Sequence, residues 1–462
     1  MRRILVLLFV CAVCSYASDS AITDDMLQSF KENLSKDTHF KAAQNAVAHN
    51  DVRDIARNRD MQGKIDDLFT DKIDVDPVTD QQSSGRCWLF TSLNVLRPKV
   101  METLNVKSFE FSENYSYFWD QLEKANLFLE NVISTRDKDI TDRKVEWLFR
   151  HPIGDGGLWN NAVAVIEKYG MVPKSVMPES HNSENTRVMR YVVRQKLRRA
   201  ALAIRDLHEQ GADLEQLRQR KQQALTDVYK LLVLHLGEPP ESFTWRYRDK
   251  DDSLHAAKTY TPMSFYNEVV GTDLNDYVML MHDPTREFYK LYEIEWDRNR
   301  YDAQNWTYVN LPLDELKQMA VTSIRDHEAM YFSCDVGKQM DRDAGILSID
   351  NYEYEALFGV PLSMSKKQRI LSRQSGSSHA MSLMGVDTTA DGSVRKWLLE
   401  NSWGKESGHN GFMIMTDEWF DEYMFRLVVK KEFVPAPVLA VLKQTPIKLA
   451  PWDPMYLPYE DQ

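Results

Sequence analysis

Cysteine is scarce: 462 residues contain four, Cys11, Cys14, Cys87 and Cys334, which excludes a disulfide-stapled scaffold. No His-Glu-x-x-His occurs, so the helix of a common class of zinc peptidase is missing. No apolar run reaches the ~20 residues of a membrane span. Basic residues are outnumbered, 57 against 69 acidic, for a net charge of −12. A chain with that balance lacks the cationic excess of a broad nucleic-acid-binding surface. Internal repeats and low-complexity tracts are also missing. What is present is a 43% hydrophobic, 11% aromatic chain that can bury a large core and cannot be mainly disordered. Its length fits two or three domains, or one domain enlarged by insertions.

Residues 1–17 read MRRILVLLFVCAVCSYA. Arg2 and Arg3, the apolar run from Ile4 to Cys14, and Ser15 and Ala17 at −3 and −1 predict a signal peptide cut before Ser18. Val10 and Val13 disfavour a lipoprotein cut at Cys11 or Cys14, where a small residue is usual. The expectation is export, to a periplasm or the medium, with no membrane span left after cleavage. The exported chain would retain only Cys87 and Cys334.

From Ile22 to about Asp66 the pattern is polar and helical, with Met26, Phe30 and Leu34 at helical spacing. An apolar helix is predicted from Trp88 through Leu93, Leu96 and Val100, ended or kinked by Pro98. Further helices are expected over 112–133 and over 159–169, the latter closed by Gly170 as a C-cap glycine. The stretch 187–221 carries ten Lys/Arg and four Asp/Glu. With Val193, Leu197, Ala201, Ile204 and Leu207 on one face, it predicts an amphipathic insertion, placed around 185–260. Its basic face is read as solvated, with an oligomer surface or a polyanion-binding patch as alternatives. Strand-like runs at 277–280, 330–332, 396–399 and 412–415 suggest a β-rich second lobe.

Cys87 follows a Ser-Ser-Gly-Arg turn and opens an apolar helix. A thiol there feels the positive end of the helix dipole, which favours the reactive thiolate; a cysteine packed beneath Trp88 is the alternative. A thiolate nucleophile needs an imidazole, a group to orient it, and donors for the tetrahedral oxyanion. His379 begins an apolar, strand-like run, and Asn401 lies twenty-two residues later, followed by Ser402-Trp403-Gly404. Taken alone, these are an ordinary core histidine and a turn asparagine. Taken together, an amide oxygen to accept from the imidazole and an indole to shield that bond suit the task. Gln81 or Gln82 could join the Cys87 N–H as oxyanion donor, and spacing does not separate them.

Gln-x5-Cys-Trp, a downstream His-Ala and Asn-Ser-Trp-Gly, in that order, resemble the papain-type cysteine peptidases. The words SSGRCWLF at 83–90, VPK at 172–174, MPES at 177–180, CDVGK at 334–338 and PWDPM at 451–455 narrow the resemblance to the bleomycin hydrolase or aminopeptidase C branch, over nearly the whole chain from about Asp24 to Met455. That resemblance implies an α+β, papain-like two-lobe fold with large helical insertions. It implies Cys87 as nucleophile, His379 as acid/base, Asn401 as its orienter and Gln81 as oxyanion donor. Gly156 and Gly157 are implied to hydrogen-bond the substrate main chain, and no cofactor or metal is called for. Cys334 matches a family word without a chemical role and is read as core. The 292-residue interval from Cys87 to His379 exceeds the ~130–150 of the simple papain layout, which the insertions can account for.

The resemblance further implies an aminopeptidase acting on peptides and a homohexameric ring with inward-facing sites. The C-terminal arm, 450–462, would lie in the cleft with its terminal carboxylate, on Gln462, pairing with the substrate α-ammonium. The end Tyr456-Leu457-Pro458-Tyr459-Glu460-Asp461-Gln462 is bulkier and more acidic than the short, small ends of the family. If it does not enter the cleft, an endopeptidase or dipeptidyl-peptidase is the alternative; a non-catalytic binding protein is a remoter one. No nucleic-acid partner is expected.

Overall fold

A computed structural model of the chain describes residues 21–455. Two compact units emerge, 21–57 with 353–362, and 58–352 with 363–455.

The smaller unit contains helices Asp24–Asn33, Thr38–His49, Val52–Ala56 and Tyr354–Phe358. Its two chain segments are joined by the Glu353 N–H donating to the Ala56 carbonyl at 2.8 Å. The helical reading of this region holds, yet the spaced apolar residues Met26, Phe30 and Leu34 are exposed. Leu34 lies beyond the first helix, in an extended conformation.

In the larger unit, a twelve-stranded mixed sheet forms the centre. Its middle runs Tyr277–Met281, Met424–Lys430, Met330–Cys334, His379–Thr388, Val394–Glu400 and Phe412–Thr416, each antiparallel to the next. All four strand-like runs of the sequence are here. They read as nearly continuous apolar stretches because both faces of the sheet are covered. Alternate residues serve two cores: Met279, Met281, Tyr331 and Ala380 pack with the helical side. Leu280, Phe332 and Met381 pack against helices Leu313–Arg325 and Asp417–Tyr423.

The helical side begins with Cys87–Asn94. Pro98 falls in the first turn of a second helix, Arg97–Thr103, where its missing N–H costs nothing. The predicted single helix is therefore two, and Val100 belongs to the second. Ser112 caps Glu113–Ser134 by accepting from the Tyr115 N–H at 3.0 Å. Helix Trp159–Tyr169 has the expected bounds, and Gly170 takes the positive φ of 73° that a C-cap glycine permits.

The amphipathic stretch forms a hairpin of two helices, Arg187–Glu209 and Leu214–Leu236. Val193, Leu197, Ala201 and Ile204 are buried as the spacing predicts, and Leu207 is partly buried. Its basic residues are less free than a solvated face would have them. Arg194 donates to the Ile153 carbonyl, Arg198 to that of Phe149, and Arg205 to those of Thr135 and Lys138. Lys221 pairs with Glu130 at 2.5 Å and Lys196 with Asp227. Much of the excess charge is thus committed to backbone carbonyls and internal partners. No helix among the described residues is long and apolar enough to cross a membrane.

Candidate active site

Antiparallel pairing of Ser382 with Glu400 sets the geometry. His379 opens one strand and Asn401 follows the end of its neighbour, so both lie at the same end of the sheet. His379 Nε2 is 2.7 Å from Asn401 Oδ1. That oxygen also accepts from the Ser402 N–H at 2.8 Å, which identifies it as the amide oxygen, since a backbone N–H can only donate. Nε2 therefore carries the proton, and Nδ1 is left as the basic nitrogen. Trp403 lies 4.7 Å from the imidazole, ring centre to ring centre. Burial pushes His379 down to about 4, with the Asn401 hydrogen bond opposing.

Cys87 is the first residue of its helix and is 1% exposed. It lines a cavity of 590 Å³ together with Gln81, His379 and Trp403. Segment 79–81 pairs with 402–404: the Gln81 N–H donates to the Ser402 carbonyl at 2.8 Å, and the Gly404 N–H to that of Thr79 at 3.1 Å. The Gln81 side chain is fixed at both ends. Its Nε2 donates to the Ser84 carbonyl at 2.6 Å and its Oε1 accepts from the Ser402 hydroxyl at 2.7 Å. A carbonyl cannot donate, so the amide orientation is unambiguous and one N–H remains uncommitted. Gln82 is exposed, has a φ of 51° and is tied to Asp80. Of the two glutamines, only Gln81 lines the cavity.

The loop before Cys87 is held by residues that the sequence reading passed over. Arg86, fully buried, donates from Nη1 to Glu179 at 3.2 Å, with Nη2 2.9 Å from the other carboxylate oxygen, and lies over the rings of Phe90 and Tyr117. A charge-assisted hydrogen bond of this kind holds the loop by direction as well as by charge. Asp155 accepts from the Gly85 N–H at 3.0 Å, while its carbonyl accepts from Trp88 Nε1 at 2.6 Å. Arg97 and Glu400, both buried, pair immediately before Asn401. Glu179 lies in MPES at 177–180 and Asp155 in Gly-Asp-Gly-Gly at 154–157, but ion pairs between distant residues leave no periodic trace.

Gly156 and Gly157 do not line the Cys87 cavity. They border a second, 140 Å³ cavity with Ser377, Asp297 and Arg426. Of two consecutive residues just before His379, Ser377 borders this cavity and Ser378 the Cys87 cavity. The Gly156 carbonyl already accepts from Lys124 at 2.6 Å. Gly157 makes no hydrogen bond through its backbone among the described residues. A Cβ there would lie 2.7 Å from the Trp88 ring, so only glycine fits. Asp297 is buried, with one carboxylate oxygen unpartnered, and burial pushes it up to about 7.

Cys334 is fully buried and directly opposite His379 in the sheet register. Burial, then the neighbouring Asp335, push its thiol well up, consistent with a core residue. At the other end of the chain, Arg426 donates to the Met455 carbonyl at 2.7 Å, and Met455 is buried. Trp452 lies beneath Arg143, 4.1 Å from guanidinium to ring, and Asp453 pairs with Arg286. Arg426, which lines the second cavity, thus ties the arm to its border. Gln462 and the rest of 456–462, like the expected signal peptide, lie outside the described residues.

The peptidase C1-like family model matches residues 21–456. The chain belongs to that family. Aminopeptidase G of Lactobacillus delbrueckii subsp. lactis is 40% identical over 432 residues, 94% of this chain and 98% of that one. Bleomycin hydrolase of Homo sapiens is 38% identical over 449 residues, 95% and 99% of the two chains. The crystal structure of PepW from Lactobacillus rhamnosis HN001 superposes with a TM-score of 0.92 at 37% identity, covering 95% of this chain and 99% of that one. The expected family and its α+β, papain-like fold are therefore those of this chain.

Proposed function

We propose that this chain is an exported thiol aminopeptidase that hydrolyses N-terminal peptide bonds through Cys87, His379 and Asn401. The Cys87 thiolate attacks the scissile carbonyl carbon, and the oxyanion takes hydrogen bonds from the Cys87 N–H and the Gln81 side chain. The His379 imidazolium gives its Nδ1 proton to the leaving amine, leaving a thioester. The neutral imidazole then takes a proton from water, which attacks the thioester and frees the acid and the thiol. A buried imidazole resists protonation, so its cationic form needs an anion beside it; the thiolate is that anion. The observation that carries the reading is the directed hydrogen bond from His379 Nε2 to Asn401 Oδ1, which leaves the opposite nitrogen for the thiol. The names of the relatives support the aminopeptidase assignment.

The exopeptidase character rests on the C-terminal arm. Arg426 holds Met455 beside the cavity that contains Gly157, and Glu460, Asp461 or the Gln462 carboxylate would supply the charge that pairs with the substrate α-ammonium. Truncation after Met455 is expected to raise kcat/KM on N-acetylated peptides and lower it on free aminoacyl substrates. Unchanged selectivity would leave endopeptidase or dipeptidyl-peptidase activity as the better description. Export and assembly into a hexameric ring are part of the proposal. Native protein should begin at Ser18 on N-terminal sequencing and show six chain masses by light scattering. Intact Met1 in the cytoplasmic fraction refutes the first, and a monomer mass the second.

A further inference from the structure

The Cys87 cavity, which the glycine pair does not line, is bordered by residues of two loops, 335–338 and 373–378. Three charged side chains on these loops line it: Asp335, Lys338 and Arg373. Asp335 is buried and occupied, accepting from the Ser375 hydroxyl at 2.6 Å and the Ser378 hydroxyl at 3.5 Å. Lys338 lies near enough to draw the Asp335 carboxyl downwards, against the larger effect of burial. Beyond that attraction, neither Lys338 nor Arg373 forms an ion pair or a side-chain hydrogen bond among the described residues. This contrasts with the Arg86, Arg97, Arg286 and Lys221 cations, which are all paired.

Arg373 is unusual in a second respect. It follows helix Lys366–Leu371 with a left-handed φ of 61°, where glycine is the least strained residue. Its side chain is exposed, so packing does not compensate for that conformation.

The direction of the substrate follows from the aminopeptidase reading, on which this inference rests. On that reading the arm and Gly157, which border the other cavity, hold the substrate N-terminus, and the Cys87 cavity with Lys338 and Arg373 is left to the leaving portion.

We propose that Lys338 and Arg373 form a carboxylate-binding subsite for the leaving group, so that the enzyme favours short peptides whose own C-terminal carboxylate reaches it. An acidic side chain at the same distance presents the same chemistry. Hydrogen bonds to a charged group contribute roughly 1.5–3 kcal/mol, about tenfold or more in affinity; the effect weakens as salt screens it.

The test compares kcat/KM on trialanine, trialanine amide, Ala-Glu-Ala amide and alanine 4-nitroanilide. The parent enzyme should prefer trialanine over its amide by about tenfold. A Lys338→Gln/Arg373→Gln double variant should lose that preference, mainly through KM, with the change confined to carboxylate-bearing substrates. Arg373→Gly removes the charge while relaxing the backbone, and should lower trialanine turnover in the same direction. A glutamate that restores the preference to the amide identifies side-chain carboxylates as a second source. Equal parent rates on trialanine and its amide overturn the inference, as does an equal loss by the double variant on all four substrates. Failure of the parent to cleave the anilide refutes the aminopeptidase reading instead.

Discussion

Cys87→Ala and His379→Ala are each expected to lower kcat on free aminoacyl substrates by about 10⁴-fold or more, with the fold unchanged by circular dichroism. Members of a nucleophile–base pair act as a unit, so losing either removes nearly all of the covalent route. Cys87 is buried and first in its helix, and its thiol has no substitute: Cys334, the other described cysteine, is sealed in the core. Asn401→Ala should be milder, because it orients the imidazole and makes no bond to the substrate. It would free Nε2 and let the ring turn against Trp403. A purified Cys87→Ala that kept kcat within about tenfold of the parent would end the cysteine-peptidase assignment.

Gln81→Ala should lower kcat by about 10²–10³-fold with little change in KM, the usual effect of losing one oxyanion donor. The side chain is gripped by Ser84 and Ser402, so the donor is in position before substrate arrives and no ordering cost falls on the transition state. Gln82→Ala should be nearly neutral, since that side chain is exposed and bonded only to Asp80. The reverse pattern, with Gln82 essential and Gln81 dispensable, would overturn the assignment of Gln81 as the donor.

Much of this was legible in the sequence where local chemistry decides conformation. Helix 159–169 could be bounded because Gly170 stops it; the four apolar runs could be read as strands because a doubly covered sheet shows continuous hydrophobicity. Cys87, His379 and Asn401 were recognisable because their flanking words occur in family order. Spacing alone did not separate Gln81 from Gln82; only the family resemblance favoured Gln81, and in the structure burial and an Asx-type tie of Gln82 to Asp80 set the two apart. The break before Pro98 was half legible: a proline inside a helical pattern reads as an end or a kink, and only the flanking turn shows that it starts a new helix. Met26 and Phe30 marked a helix correctly, and their exposure shows that helical spacing reports an amphipathic face without saying that anything is packed on it.

Asp155 joins the nucleophile loop to the inserted hairpin. The same carboxylate that accepts from the Gly85 N–H also accepts from the Thr186 hydroxyl at 2.5 Å and lies 3.3 Å from Arg190. Arg194 and Arg198 grip the backbone just upstream, at Ile153 and Phe149. The insertion is therefore no detachable appendage on a smaller peptidase. It works as a clamp on the strip of chain that supplies both Asp155 and the glycine pair. Trimming the protein back to the simple papain layout would remove the outer jaw of that clamp while leaving every catalytic side chain in the sequence. In this chain, the minimal catalytic unit is larger than the set of residues that would touch the substrate.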